Sequence, residues 1–239
     1  EHCLREDLND TAERTMAVLR PVKLVITNYP EGKSETVTVE NNPTDPASGT
    51  HEITFSRECW IEADDFMEVP VPKYKRLTPN GPECRLKGAY LITCTGCKKD
   101  EMGNVIEVYA EYDPNSPGGD PADGRKVKGA TIHWVDAATA LDAEVRVYSE
   151  LFSDPAPDGA DKDFLACMNP DSLEVLTGCK VEPRMRDIAA AYDKTEKKGK
   201  TAPSFQFMRL GYFCLDNKDC SKDHLVFNRS VTLKDSFKK

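Results

Sequence analysis

A mainly β fold, a barrel or sandwich opened by a short helical segment, is what this 239-residue chain predicts. Three observations point there. Many short segments carry apolar residues with period two, clusters of proline, glycine and aspartate separate them, and one helical periodicity stands at the start. Leu8, Ala12, Met16 and Leu19 fall at helical spacing within Leu4–Leu19, and that helix is expected to end at Arg20-Pro21, because the residue before proline disfavours helix. From there the period is two: Val22, Leu24 and Ile26 alternate with Lys23, Val25 and Thr27, and Val37 and Val39 follow a Pro30-Glu31-Gly32 turn.

A strand opens at Ile53 and Phe55 and runs to Cys59-Trp60-Ile61. Others are expected over 89–95, 105–112, 131–135, 144–148, 173–177, 204–213 and 226–233. Turn chemistry divides them at Asp113–Gly119 and Pro155–Gly159. Short helices are expected at 136–141 and 184–192, and a lysine-rich exposed loop at Asp193–Ala202. No internal repeat is visible. Within Ser204–Phe213, Phe205 and Phe207 face the interior, which turns Gln206 outward with its amide free.

Composition excludes several classes. No apolar run approaches the roughly 18 residues of a membrane span, and charged Glu1–Asp10 lacks the apolar core of a signal peptide. The absence of an initial Met suits a piece of a longer chain, and a cytoplasmic setting is expected. Nine cysteines, an odd number irregularly spaced, read as reduced thiols. Cys94-Thr95-Gly96-Cys97 has the spacing of half a zinc site, but Cys214 and Cys220, the pair that would complete it, are too loosely spaced, so no metal is expected. His2, His51, His133 and His224 have no metal-ligand spacing, and no glycine-rich phosphate loop occurs. No catalytic residue emerges.

The net charge of -9 is segregated. Lys73, Lys75, Arg76, Arg85 and Lys87 face only Glu83 within their stretch, and Arg125-Lys126-Val127-Lys128 forms a second basic cluster. Read as two basic strands of a hairpin, the stretch 73–87 suits single-stranded RNA. Arginine reads a guanine edge bidentately, lysine holds phosphate, and an aromatic such as Tyr74 stacks on an unpaired base.

Several runs in order carry a resemblance. They include Arg14-Thr15-Met16-Ala17-Val18, Pro21–Tyr29, Tyr74-Lys75-Arg76-Leu77, Arg85–Tyr90 and Asp123–Gly129. Ile132-His133-Trp134-Val135, Phe205-Gln206-Phe207, Gly211–Asp216 and Val226-Phe227-Asn228-Arg229 follow. Together they resemble, essentially end to end, the C-terminal anticodon-binding region of glutaminyl-tRNA synthetases, which are class I aminoacyl-tRNA synthetases. The resemblance implies two β-barrels related to a ribosomal protein barrel: a helical segment over 1–20, a first barrel region over 21–130 and a second over 131–239.

It also implies roles. Arg14 and Gln206 match readers of the middle uracil of the glutamine anticodon, and Arg76 matches the reader of the third base, a guanine. Arg85 and Lys87 match residues that meet the first base. Lys73 matches another anticodon-loop contact, while Lys75 and Arg209 fall at similarly placed polar positions. Partners implied are the anticodon loop of the glutamine tRNA and the enzyme's own catalytic domain, with no membrane and a monomeric state. The family's ATP- and Mg-using half carries His-Ile-Gly-His-like and Met-Ser-Lys-like motifs, and neither occurs here, so this chain alone is expected to hold no cofactor and to be inactive.

Departures are Lys87, where relatives carry arginine and its planar fork, an extra residue in Thr78–Pro82, the inserted-looking 193–202 stretch, and the Cys94/Cys97 pair. The alternatives are a glutamyl-tRNA synthetase of the archaeal or eukaryotic type and, from other classes, a ribosomal RNA-binding β-barrel protein or a cysteine metalloenzyme.

Overall fold

A computed structural model describes residues 1–159, 161–192 and 201–234. The first helix, α1 (His2–Thr11), is shorter than its periodicity predicts. Leu8 and Ala12 do share one apolar contact, against Tyr212 and Val231. At Ala12 the backbone turns extended, with φ -79° and ψ 132°, and two short strands follow, β1 (Glu13–Thr15) and β2 (Ala17–Val18). Arg14 therefore sits buried on a strand, not at an exposed helix end.

The alternating segments form strands as expected: β3 (Pro21–Ile26), β4 (Ser34–Glu40) and β5 (Thr50–Ser56). The strand expected to continue through Ile61 instead breaks at Arg57, and β6 (Glu58–Glu62) leaves β5 to pair with β3. Next come β7 (Cys84–Leu86), β8 (Leu91–Lys99), β9 (Val105–Tyr112), β10 (Thr131–Ile132) and β11 (Val135–Asp136). Residues 73–76 are not a strand. Their segment has a β-bridge at its end, between Phe66 and Leu77, and pairs with no strand at 73–76, so the two-stranded basic hairpin is not formed.

The helix expected over 136–141 is a turn capped by Asp136, whose Oδ2 accepts from the Thr139 amide and hydroxyl, both at 3.0 Å. That turn leads into β12 (Leu141–Tyr148) and its partner β13 (Leu173–Val181). After α2 (Arg184–Ala191), the expected 204–213 strand divides into a hairpin, β14 (Ser204–Phe207) and β15 (Gly211–Leu215), and β16 (Leu225–Val231) completes the fold. Arg209, with φ 68°, makes the reversal. Of the lysine-rich stretch, residues 193–200 lie outside the described residues.

Two barrel-like sheets result, with strand orders β10-β7-β8-β9-β3-β6-β11 and β1-β14-β15-β16-β12-β13-β2, beside a β4–β5 hairpin. Read along either order, the pairings run parallel, antiparallel, antiparallel, parallel, antiparallel, antiparallel. The sequence hides this repeat. In each sheet the two outermost strands are consecutive in the chain, β10 and β11 separated by His133-Trp134, β1 and β2 by Met16 alone. One short segment thus serves both edges and curls the sheet. Residues 131–136 complete the first sheet, and residues 13–18, from the start of the chain, complete the second.

The first core gathers around Trp134, Phe55, Leu24 and Ile61, and the second around Phe205, Phe207, Phe213 and Phe227. Phe207 is fully buried and stacks on Phe213 with ring centroids 4.3 Å apart. Between the cores runs a seam: Met16 and Val18 enter the first, Ala17 and Leu19 the second. A strand buried on both faces shows no polar alternation, which is why helical spacing there misleads.

Two buried carboxylates satisfy the seam's main chain. Glu182 Oε1 accepts from the Met16 amide at 2.6 Å, while Glu62 accepts from the amides of Leu19 (2.6 Å) and Arg20 (3.1 Å). His133 Nε2 lies 3.6 Å from Glu62 Oε1. Burial alone would raise the Glu62 pKa, but His133 and the two amides outweigh it and hold the carboxyl below its ordinary 4.5.

Phe207→Ala should cost about 3–5 kcal/mol, read as a lower urea midpoint at unchanged slope; an unmoved midpoint would contradict the packing described. Because the folded pKa of Glu62 lies below its ordinary 4.5, its contribution is complete above that value and disappears as pH falls through the lower folded one. The stability gap between wild type and Glu62→Gln should accordingly be widest near neutrality and close in acid. A gap constant between roughly pH 7 and pH 3 would refute the assignment.

Candidate nucleic-acid interface

The residues singled out by sequence gather in two neighbouring clusters at the seam. In the first, the parallel pairing of β1 with β14 places Arg14 directly beside Gln206. Arg14 donates to the Ala12 carbonyl (2.7 Å) and to Asn9 Oδ1 (3.1 Å). Desolvation pulls its pKa below the ordinary arginine value, against the opposing pull of Tyr212 and Asp10. Phe205 and Phe207 do point into the core and Gln206 away from it, yet its amide is not free: Nε2 donates to the Tyr212 hydroxyl at 3.3 Å. Tyr212 in turn donates to Asn9 at 3.4 Å, so one asparagine of α1 ties both side chains together.

Arg14 and Lys87 share the wall of a cavity of about 320 Å³ between the sheets. His51, Glu182, Gly118 and Met208 also line it. Arg85, two residues before Lys87, donates Nε to the Gly119 carbonyl (2.8 Å) and lies 3.4 Å from Asp120. Gly118 and Gly119 both adopt left-handed φ, 78° and 88°, which lets this loop wrap against the arginine. Glu182 is bracketed by His51 Nε2 at 2.9 Å and Arg184 Nε at 2.9 Å, and His51 Nδ1 lies 2.6 Å from Asn41 Oδ1. The cavity is therefore of mixed charge, with Arg14 and Lys87 at its walls and the Glu182 carboxylate held between His51 and Arg184.

The second cluster centres on Asp65, which is fully buried. Arg209 grips it bidentately, Nη1 to Oδ2 at 2.8 Å and Nη2 to Oδ1 at 2.7 Å. Arg76 Nε approaches the same Oδ1 at 3.3 Å, and its Nη1 donates to the Asp64 carbonyl at 3.1 Å. Burial would lower the Arg209 pKa, but the carboxylate outweighs it and the net shift is upward. Arg209 Nη1 also lies 3.3 Å from His133 Nδ1. An arginine can only donate, so that ring nitrogen accepts and the ring proton sits on Nε2, toward Glu62.

Lys73, with φ 69°, and Lys75 project from the same loop as Arg76 and are exposed. Tyr74 fastens that loop by donating to the Asp64 carbonyl at 3.0 Å. Met208, whose amide donates to Thr15 at 3.0 Å, joins the clusters: it lines the cavity, and the next residue is Arg209.

Sequence reasoning missed Asp65, Glu182, His51 and Asn9. Each acts on a partner distant in sequence, and no local pattern marks it. Among the described residues no two cysteines are joined in a disulfide. Cys94 lies in the first core and Cys220 in the second, so the four-thiolate alternative is not assembled. Among the described residues no group of three or more histidine, cysteine or acidic side chains could hold a metal ion.

Two family models match, both described as tRNA synthetases class I (E and Q), anti-codon binding domain, one over residues 12–113 and the other over 131–216. Among similar proteins, a glutamine–tRNA ligase of Aliivibrio fischeri is 51% identical over 99% of this chain and 40% of its own length. Its counterpart in Clostridium kluyveri is 52% identical over 100% of this chain and 40% of its own. That of Bordetella pertussis is 50% identical over 99% and 38%. The chain thus spans about 40% of the length of the curated relatives it matches.

Proposed function

The chain belongs to the anticodon-binding family of the class I tRNA synthetases for glutamate and glutamine, and we propose that it reads the anticodon of a glutamine tRNA. In this reading it positions that tRNA for ATP-dependent attachment of glutamine elsewhere in the parent protein. The observation that carries the proposal is the register of β1 and β14, which brings Arg14 and Gln206 side by side from opposite ends of the chain. A uracil edge offers carbonyl acceptors and one N–H donor; a guanidinium donates, and a glutamine amide both donates and accepts, so the pair complements that edge.

Arg76 suits the third base. With Nε and one Nη1 hydrogen directed at Asp65 and the Asp64 carbonyl, the remaining Nη1 and Nη2 hydrogens form a fork able to meet guanine O6 and N7. Arg85 on β7 and Lys87 in the turn just beyond its end are assigned to the first base, Lys87 as a point charge without arginine's planar geometry. Lys73 and Lys75 are assigned to loop phosphates. Arg209, engaged with Asp65, contributes by holding the site in shape. No helix of the described residues is long and apolar enough to cross a membrane, and the proposed setting is a monomeric cytoplasmic enzyme.

The family models cover glutamate and glutamine enzymes alike, whereas the relatives compared are glutamine–tRNA ligases. Fluorescence anisotropy with anticodon stem-loops should therefore give tighter binding for the glutamine anticodon than for the glutamate one; the reverse order would move the assignment to the glutamyl enzyme. Arg76→Ala should lose about 1–3 kcal/mol of preference for the cognate third base, and equal losses on every third-base variant would refute its role. Lys126→Ala should instead weaken all stem-loops alike and flatten the salt dependence. A base-selective effect of Lys126→Ala would show that it is no phosphate contact.

A further inference from the structure

Arg76 lies on the loop that leads into β7 of the first sheet and Arg209 in the β14–β15 turn of the second, and both rest on one fully buried carboxylate, that of Asp65. We propose that Asp65 is a positioning residue for base recognition: it fixes the guanidinium plane of Arg76 and sets its distance from the Arg14–Gln206 pair. This rests on the reading of Arg76 as the third-base reader.

Three features of the fold support it. Asp65 lies three residues after Glu62, which is itself bonded to the seam amides of Leu19 and Arg20, so the carboxylate is placed by the joint between the sheets. The segment carrying Arg76 is fastened to the same turn by its main chain as well: the Leu77 amide donates to the Asp65 carbonyl at 3.0 Å, and the Met67 amide to the Leu77 carbonyl at 3.0 Å. On the other side, the bidentate grip of Arg209 ties Asp65 to the β14–β15 turn, three residues beyond Gln206.

The hydrogen-bond count decides what this achieves. An arginine has five N–H donors in a rigid plane. Asp65 stands 3.3 Å from Nε and the Asp64 carbonyl accepts from Nη1. The side chain is 40% exposed and no other hydrogen bond from it occurs among the described residues, which leaves Nη2 and the second Nη1 hydrogen for a ligand. An arginine free to rotate would present those donors to any acceptor, including every phosphate; one held at its base presents them in a single plane. Holding the arginine therefore contributes to selectivity more than to raw attraction. It also offsets part of the charge of two neighbouring guanidiniums, which lowers their non-specific pull on the RNA backbone.

The test uses the whole 239-residue chain and stem-loops carrying guanine or adenine at the third anticodon position. Asp65→Asn keeps the shape but removes the charge, and its amide can direct a donor at the two arginines. We expect the guanine-over-adenine affinity ratio to fall about tenfold, toward that of Arg76→Ala, with no further fall when the two changes are combined, while affinity for the adenine stem-loop changes little. A folded D65N chain with the wild-type ratio, or losses that multiply in the double variant, would overturn the proposal. Should D65N fail to fold, Asp65→Glu retains the charge and displaces it from beneath Arg76 Nε; the ratio should fall there too, and a folded D65E chain with an undiminished ratio would equally overturn it. A wild-type chain indifferent to the third base would remove the assignment of Arg76 itself, an outcome distinct from either.

Discussion

Everything in this molecule depends on a strand with no exposed face. Residues 16–19 send alternate side chains into two hydrophobic cores, and no water reaches their main chain to replace a missing partner. Unpaired amides there would each cost on the order of 1–3 kcal/mol. Glu182 and Glu62 accept hydrogen bonds from those amides, and the donors around Glu62 hold its carboxyl below the ordinary range. Removing either carboxylate would strand amides in both barrels' shared interior, so the joint is rigid by necessity. The groups proposed to meet the anticodon are placed by that joint: Arg14 precedes the seam by two residues, and Arg76 rests beside Arg209 on a carboxylate three residues beyond Glu62.

The electrostatics follow the same logic. A chain of net charge -9 attracts RNA poorly as a whole, and even its basic side chains are partly committed: Arg76 and Arg209 to Asp65, Arg85 to the Gly119 carbonyl, Arg125 to Glu83, Asp113 and Asp123. Such pairs favour orientation over attraction. Exposed Lys73 and Lys75 on the Arg76 loop are the kind of group that supplies the long-range term.

How far the sequence was legible depended on whether a residue's role is set by its neighbours in the chain. The strands with one polar face, such as β3, β4 and β9, follow from alternation alone. The helical reading failed at Met16 and Leu19 because both faces of that segment are buried, which erases the pattern, and at Asp136 because one capping carboxylate suffices for a turn without a following helix. Arg14, Arg76 and Gln206 were marked by family resemblance, but Asn9, Asp65 and Glu182, which orient or surround them, act across the fold. The outward face of Gln206 was legible from its two phenylalanines; the tyrosine waiting there was not.

The split edge strands have an implication for how the chain is made. The first sheet contains only strands from residue 21 to residue 136, so on a ribosome it can be assembled while the remainder is still being synthesised. The second sheet cannot. Its edge strands, residues 13–18, emerge first, yet their partners β13 and β14 arrive only at residues 173–181 and 204–207. That segment must wait, lying against the first sheet's core through Met16 and Val18, until residue 207 has been made. Such long-range closure is slow compared with local pairing, and it makes the second barrel's completion a later step than the first sheet's.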